Sequence, residues 1–193
     1  MPNEWFSPTR RLNARQIATV EKVLDAAEAF LDERGYEDLT LRLVAADAQV
    51  SAATAYTYFS SKNHLCAGVF CRAVLEAGAP EPQGNAVERV EGLVRHLSEV
   101  IAAQPALASA ATRSLMAPED DVAGLRLVLG THWARLFREA VGEAGSAAVL
   151  DALLLAFSGA LLHAGMGVLA YEDLGDHLAR AVETILLHQI ELG

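Results

Sequence analysis

Basic residues are scarce in this chain: 15 lysines and arginines stand against 25 acidic residues, for a formal net charge of −10. So acidic a balance excludes a surface coated in positive charge for indiscriminate nucleic-acid binding. The shortage is uneven. Residues 1–78 hold eight basic and ten acidic residues, −2, which leaves −8 for the remainder. Within the less acidic part, Arg10, Arg11 and Arg15 form a local basic arm ahead of the first expected helix. Cysteine is also nearly absent, with only Cys66 and Cys71, five apart on one expected helix. Side chains at that spacing point away from one another, which argues against an intrachain disulfide. Two reduced thiols in a cytoplasmic compartment are the expectation.

Other absences narrow the class further. No run of alternating strand residues, no internal repeat and no low-complexity tract occurs, so the expected fold is all-α. The six histidines, His64, His96, His132, His163, His177 and His188, are scattered without metal-ligand spacing. There is no Gly-x-Ser-x-Gly elbow, no phosphate loop and no dinucleotide fingerprint. Neither catalysis nor a metal or cofactor is expected. Residues 1–15 are polar, with Pro2, Pro8 and several arginines, and do not read as a signal sequence. Residues 152–170 carry no formal charge and approach the length of a membrane span. Ser158, His163 and three glycines interrupt them, and no aromatic or basic belt flanks them. A helix buried between other helices, or at a subunit interface, is the better reading.

What remains is apolar and helical in pattern. With 193 residues and 52% hydrophobic content, the chain can bury a substantial core. Ile17, Val20, Leu24, Ala27 and Leu31 follow the spacing of one buried face, predicting a first helix over residues 13–34 that Gly35 ends. Thr40 is placed to cap a second helix at 41–48, Ser51 a third at 52–59, and Ser60 or Ser61 a fourth running to 77. Residues 78–84, GAPEPQG, form a linker with two prolines and two glycines. They divide the chain into an expected domain at 1–78 and another at 79–193. Further helices are expected at 85–103, 105–116, 118–144, 146–171 and 174–191, with Pro105 and Pro118 in first turns.

Residues 40–65, TLRLVAADAQVSAATAYTYFSSKNHL, carry the chemistry. Two short helices joined by a tight turn form a unit that can set one of them in a DNA major groove. Leu41, Val44 and Ala45 are expected to pack inward, with Val50 plugging the turn. Ala53, Tyr56 and Phe59 share a spacing that would make one edge of the third helix pack, leaving Ala52, Thr54, Ala55, Thr57 and Tyr58 outward. Lys62 falls in the first turn of the next helix, where a cation opposes the helix dipole unless a phosphate lies there.

Gly35-Tyr36, Thr40, Val50-Ser51, Thr54, Tyr56, Tyr58, Phe59, Lys62 and Leu65 appear in the order and spacing of a known pattern. Over residues 15–70 the chain resembles the TetR family of bacterial transcriptional regulators. Two departures stand out: Gln49 replaces the usual turn glycine, so that it or its neighbour would have to take a left-handed backbone, and the third helix has no charge. The resemblance implies an N-terminal three-helix helix-turn-helix DNA-binding domain joined to a C-terminal helical domain for ligand binding and dimerisation. On this pattern Arg42, Tyr56, Tyr58 and Lys62 would hold phosphates. Ser51, Ala52, Ala53, Thr54 and Thr57 would meet bases through hydroxyls and thymine-methyl contacts.

The family pattern also implies a homodimer through the last two long helices, with Leu178, Ala181, Val182, Ile185 and Leu186 as the stripe of the final one. Such a dimer reads a palindromic operator. It implies a small effector of apolar or amphipathic character, with Leu115, Met116, His132, Trp133, Leu136, Phe137, Phe157, Leu161 and His163 as candidate lining residues. A ligand-released repressor is the function so reached. A helical protein-interaction module without DNA binding is the alternative, and steep salt dependence of binding to double-stranded DNA separates the two.

Overall fold

The computed structural model describes residues 12–190. Arg10 and Arg11 of the expected basic arm lie outside the described residues; Arg15 is exposed at the start of the first helix. Among the described residues every regular element is helical: α1 (Ala14–Asp38), α2 (Leu41–Asp47), α3 (Ala52–Tyr58), α4 (Lys62–Ala77), α5 (Ala86–Ala102), α6 (Pro105–Leu115), α7 (Asp120–Val141), α8 (Ala147–Gly165) and α9 (Leu174–Ile190), with short 3-10 turns at Gly142–Ala144 and Tyr171–Asp173.

Local chemistry sets most of the boundaries. Asn13 and Gln16 form a reciprocal capping box at the start of α1, and Asn85 and Glu88 do the same for α5. Thr40 and Ser51 accept from Leu43 N and Thr54 N, as their positions predict. Ser61, rather than Ser60, caps α4, since its hydroxyl accepts from His64 N at 3.0 Å. Gly35, at φ 76° and ψ 178°, breaks α1 one residue after its expected end, and a short helical tail follows. Two boundaries differ from expectation. Pro118 precedes α7 rather than opening its first turn, because Glu119 O receives Ala123 N at 3.0 Å and α7 begins at Asp120. Helix α8 stops at Gly165 instead of reaching 171, because Gly167 turns left-handed at φ 73°.

Packing divides the chain into two compact units: one of the residues up to Ala73 with Ala106–Val128, the other of Val74–Pro105 with the residues from Leu129 onward. The division therefore does not follow the linear cut at residue 78. Helix α6 and the first part of α7 pack with the N-terminal unit, which a reading of consecutive segments could not anticipate. In this first unit the buried positions are Val20, Leu24, Leu31, Leu41, Val44, Phe59, Leu65 and Val69. Arg72, almost wholly buried on α4, holds Glu21 at 2.9 Å, Asp25 at 2.5 Å and Glu28 at 2.7 Å, all on α1. Burial opposes its charge, but the hydrogen bonds it donates to Asp25 and Glu21 outweigh that and raise its pKa. Cys66 and Cys71 are buried and free, and burial pushes both thiols up to about 12, so neither is a thiolate at neutral pH.

In the second unit α9 packs against both α5 and α8. Leu178, Val182 and Leu186 of the expected stripe are buried, and Ala181 and Ile185 flank them half-buried. Arg89 closes the end of α7 by donating from Nε to Ala140 O at 2.7 Å and from Nη2 to Val141 O at 3.2 Å. Arg95 on α5 meets Asp176 on α9 at 2.5 Å, and this contact holds the Asp176 carboxyl below its ordinary range.

Candidate nucleic-acid interface

The turn between α2 and α3 positions the candidate reading helix. Gln49 takes the left-handed conformation at φ 56°, among the described residues the only non-glycine with positive φ. Around it Gln49 N donates to Ala46 O at 3.0 Å and Val50 N to Ala45 O at 2.9 Å. Those two bonds are the 5→2 and 6→1 pair of a Schellman motif, which satisfies the last carbonyls of α2. Val50 follows it half-buried. A glutamine here costs about 1–2 kcal/mol against the glycine that the geometry prefers.

Helix α3 presents a face rotated from the one expected. Ala53 and Tyr56 are exposed, the latter by 56%, while Ala55 and Phe59 are fully buried. Residues four apart lie nearly above one another on a helix, whereas three successive positions at spacing three fan round it. The Ala55–Phe59 pair therefore forms the packed seam. Ser51, Ala53, Tyr56 and Thr57 face outward, with Ala52, Thr54 and Tyr58 half-exposed beside them. Three hydroxyls are already engaged: Ser51 Oγ pairs with Thr54 Oγ1 at 2.7 Å, and Thr57 Oγ1 donates to Ala53 O at 2.9 Å. Each hydroxyl oxygen retains acceptor capacity. Arg42 is exposed on α2.

Lys62 stands at the start of α4, but its ammonium is not loose. It lies 3.9 Å from the centre of the Tyr36 ring and donates to Glu37 O at 3.1 Å. An ammonium has three donors, so this arrangement orients the group and leaves capacity for an anion. His64, in the same turn, is buried, and Ser60 N donates to its Nδ1 at 3.2 Å. Burial lowers its pKa, though Asp121 at 4.0 Å pulls the other way.

The candidate ligand residues are brought together only in part. Trp133 and Phe157 meet edge-on at 5.1 Å between ring centres, and Phe137 and Phe157 at 5.6 Å. Leu136 is buried in the same unit; Leu161 is half-buried and His163 exposed. Leu115 and Met116 belong to the first unit, and Met116 is 70% exposed. His132 Nε2 and Trp133 Nε1 are buried atoms with no hydrogen-bond partner among the described residues. Burial lowers the His132 pKa, with Arg135 acting in the same direction. Among the described residues no group of His, Cys, Asp and Glu is placed to hold a metal ion.

A capped seven-residue helix set outward by a Schellman turn, with an oriented lysine behind it, defines a helix-turn-helix DNA-binding regulator. Comparison with known proteins agrees. Residues 23–69 match the model of the bacterial regulatory proteins of the tetR family. The chain is 42% identical over 182 residues to an uncharacterized HTH-type transcriptional regulator of Mycobacterium tuberculosis, covering 90% of this chain and 83% of that protein. It is 31% identical over 126 residues to the HTH-type transcriptional repressor KstR of Rhodococcus jostii, covering 64% of this chain and 59% of KstR. Among solved structures, a TetR transcriptional regulator from Rhodococcus sp. RHA1 has the same fold at TM-score 0.77 and 22% identity, over 89% of this chain and 97% of that one. Thermus thermophilus FadR, solved in complex with lauroyl-CoA, follows at TM-score 0.61 and 21% identity, over 89% and 93%. The chain belongs to the TetR family of bacterial transcriptional regulators.

Proposed function

We propose that this regulator is a repressor that binds a palindromic operator as a homodimer and leaves it when a small apolar or amphipathic effector binds. The observation that carries the DNA-binding part is the outward face of α3, where Ser51, Ala53, Tyr56 and Thr57 are exposed without a single charge. Such a face reads bases through hydroxyls and contacts with thymine methyls. Affinity then comes chiefly from Arg42, Tyr56, Tyr58 and Lys62 on phosphates and from DNA shape. Residues 1–78 act as the DNA-binding domain and 79–193 as the effector and dimerisation domain, although α6 packs with the former. The name of KstR as a repressor supports the sign of the regulation.

Dimerisation rests on α8. By length and composition this helix could cross a membrane, yet it buries Val149, Leu153, Phe157 and Ala164 in the chain's own core. Its other face leaves Leu155 exposed by 74% and Met166 by 57%, with Leu162 between them. An added Cβ at Gly159, on that face, would meet nothing within 4 Å, so another backbone has room to approach. Paired with α9 and its symmetry copy, this face makes a four-helix interface, and the two α3 helices would then stand about 34–36 Å apart. The protein so assembled is a soluble cytoplasmic one, without catalytic function.

The effector reading rests on the Trp133–Phe137–Phe157 ring cluster beside two unpartnered ring nitrogens. An indole N–H left unmatched is costly, and an apolar ligand bearing one acceptor oxygen would satisfy it. The lauroyl-CoA complex of the similarly folded FadR supports an amphipathic class. An effector that prefers the dimer spacing unsuited to DNA lowers operator affinity, and operator lowers effector affinity by the same factor. Titrating full-length protein against DNA from the region upstream of its own gene, over a range of salt, tests the reading. Binding that weakens steeply with salt is expected; binding with no salt dependence would favour a protein-interaction module.

A further inference from the structure

The first unit contains a polar chain that the DNA-binding motif does not include. Glu119, at the α6–α7 corner, accepts from Asn63 Nδ2 at 2.9 Å, and Asn63 Oδ1 accepts from the Tyr36 hydroxyl at 2.6 Å. The Tyr36 ring is the one that carries the Lys62 ammonium, 3.9 Å from its centre. A second tie runs beside the first: Arg113 of α6 pairs with Glu37, whose backbone oxygen is the acceptor for Lys62 Nζ. The corner itself is braced, because Arg126 Nη1 donates to Leu115 O at 2.9 Å and to Ala117 O at 2.8 Å. Both groups that orient Lys62 are thus held from one region, the last turn of α6 and the α6–α7 corner that follows it.

We infer that the α6–α7 corner is a working part of the DNA-reading head, in which the Glu119–Asn63–Tyr36 relay and the Arg113–Glu37 pair position Lys62 for an operator phosphate. The inference rests on the reading of Lys62 as a phosphate contact. The direction of the hydrogen bonds fits the task. A carboxylate at one end draws on the Asn63 amide, which sharpens the amide oxygen as acceptor for the phenol. A phenol that donates its proton is the more electron-rich and attracts the ammonium over its face more strongly. The Glu119 carboxyl is held below the usual carboxylate range, first by the Asn63 hydrogen bond, so the relay is charged at neutral pH. A lysine held in one geometry before DNA arrives loses less side-chain freedom on meeting a phosphate. Tyr36, Asn63 and Glu119 are positioning residues, and none is assigned to touch DNA.

The test uses full-length protein and a duplex that the wild type enriches from a random-sequence pool, with affinity measured against salt. Lys62→Ala is expected to reduce the slope of log affinity on log salt by about one contact. Asn63→Ala and Glu119→Ala are expected to lose up to the same increment. Tyr36→Phe, which keeps the ring and the fold and removes only the hydroxyl, should lose part of it. Glu119→Gln retains an acceptor and should stay close to the wild-type slope. Combining Asn63→Ala with Lys62→Ala should lose no more than Lys62→Ala alone. A merely structural role would lower the melting temperature of the variants and leave their slopes at the wild-type value, and that result overturns the relay while sparing the Lys62 contact. If Lys62→Ala itself binds with the wild-type slope, or the pool yields no enriched duplex, the reading of Lys62 fails and the relay falls with it.

Discussion

Helix α3 has seven residues and buries one of them, Ala55, whereas α8 has nineteen and buries Val149, Leu153, Phe157 and Ala164. The shorter helix is held at its ends. Ser51 caps its start, the Gln49 turn sets the angle at which it leaves α2, and Phe59 anchors the residue after it. An isolated helix of that length would not persist in water. The longer helix is held along its side by a stripe of apolar contacts and has few polar groups to specify anything. The contrast shows two ways of placing a face at the surface: local hydrogen bonds aim the small polar face of α3, and a buried stripe on α8 leaves the opposite apolar face exposed, where the proposed dimer partner would dock.

The contrast predicts unequal costs. Phe157→Ala should have the largest effect, about 3–5 kcal/mol of stability, since it empties the centre of the ring cluster under α8. Urea denaturation would record it, and a loss under 1 kcal/mol would show that the stripe does not hold the helix. Leu155→Glu lies on the exposed face of the same helix and should leave the fold of the chain intact. It should weaken self-association about 100-fold, or about 2.8 kcal/mol, as followed by sedimentation equilibrium. Unchanged association would remove α8 from the dimer interface.

Smaller effects belong to α3 and its support. Ser51→Ala should cost about 1 kcal/mol in stability and weaken operator binding by more than that, because the cap also orients Thr54. Equal losses in both measurements would mean that the cap does not aim the helix. The buried His64 predicts a mild acid sensitivity. Its folded pKa lies below the ordinary histidine value of about 6.5, so the stability it contributes is complete above that value and is lost as pH falls through it toward the folded pKa. His64→Gln should flatten the stability profile in that window. Gln49→Gly should raise stability by at most about 1 kcal/mol, relief of left-handed strain being partly offset by the freer unfolded chain.

Much of the head is legible in the residues themselves. The caps at Thr40 and Ser51 and the inward set Leu41, Val44 and Ala45 stand where the residues put them, and of Gln49 and its neighbour it is Gln49 that turns left-handed. Each is a local matter of one side chain and the backbone two or three residues away. The rotation of α3 was not legible. Ala53, Ala55 and Tyr56 are all compatible with either face, and only the seam with α1 and α2 chose Ala55. Nor was the attachment of α6 to the head, because Glu119 and Asn63 are 56 residues apart and nothing in either neighbourhood announces the other. Among the candidate ligand residues, Trp133, Phe137 and Phe157 converge, while Leu115 and Met116 fall in the other unit. Aromatic and methionine side chains at helical spacing serve cores and pockets alike, so their pattern does not say which will meet.

The residues alone therefore determined that this is an all-α regulator with a helix-turn-helix head, since capping, turn geometry and helical periodicity act over a few positions and leave their mark in order and spacing. The tertiary structure decided which face of α3 looks outward, which stripe of α8 is buried, and that the α6–α7 corner stands behind Lys62. Those depend on contacts between segments far apart in the chain, where many apolar and polar residues are interchangeable until packing selects among them.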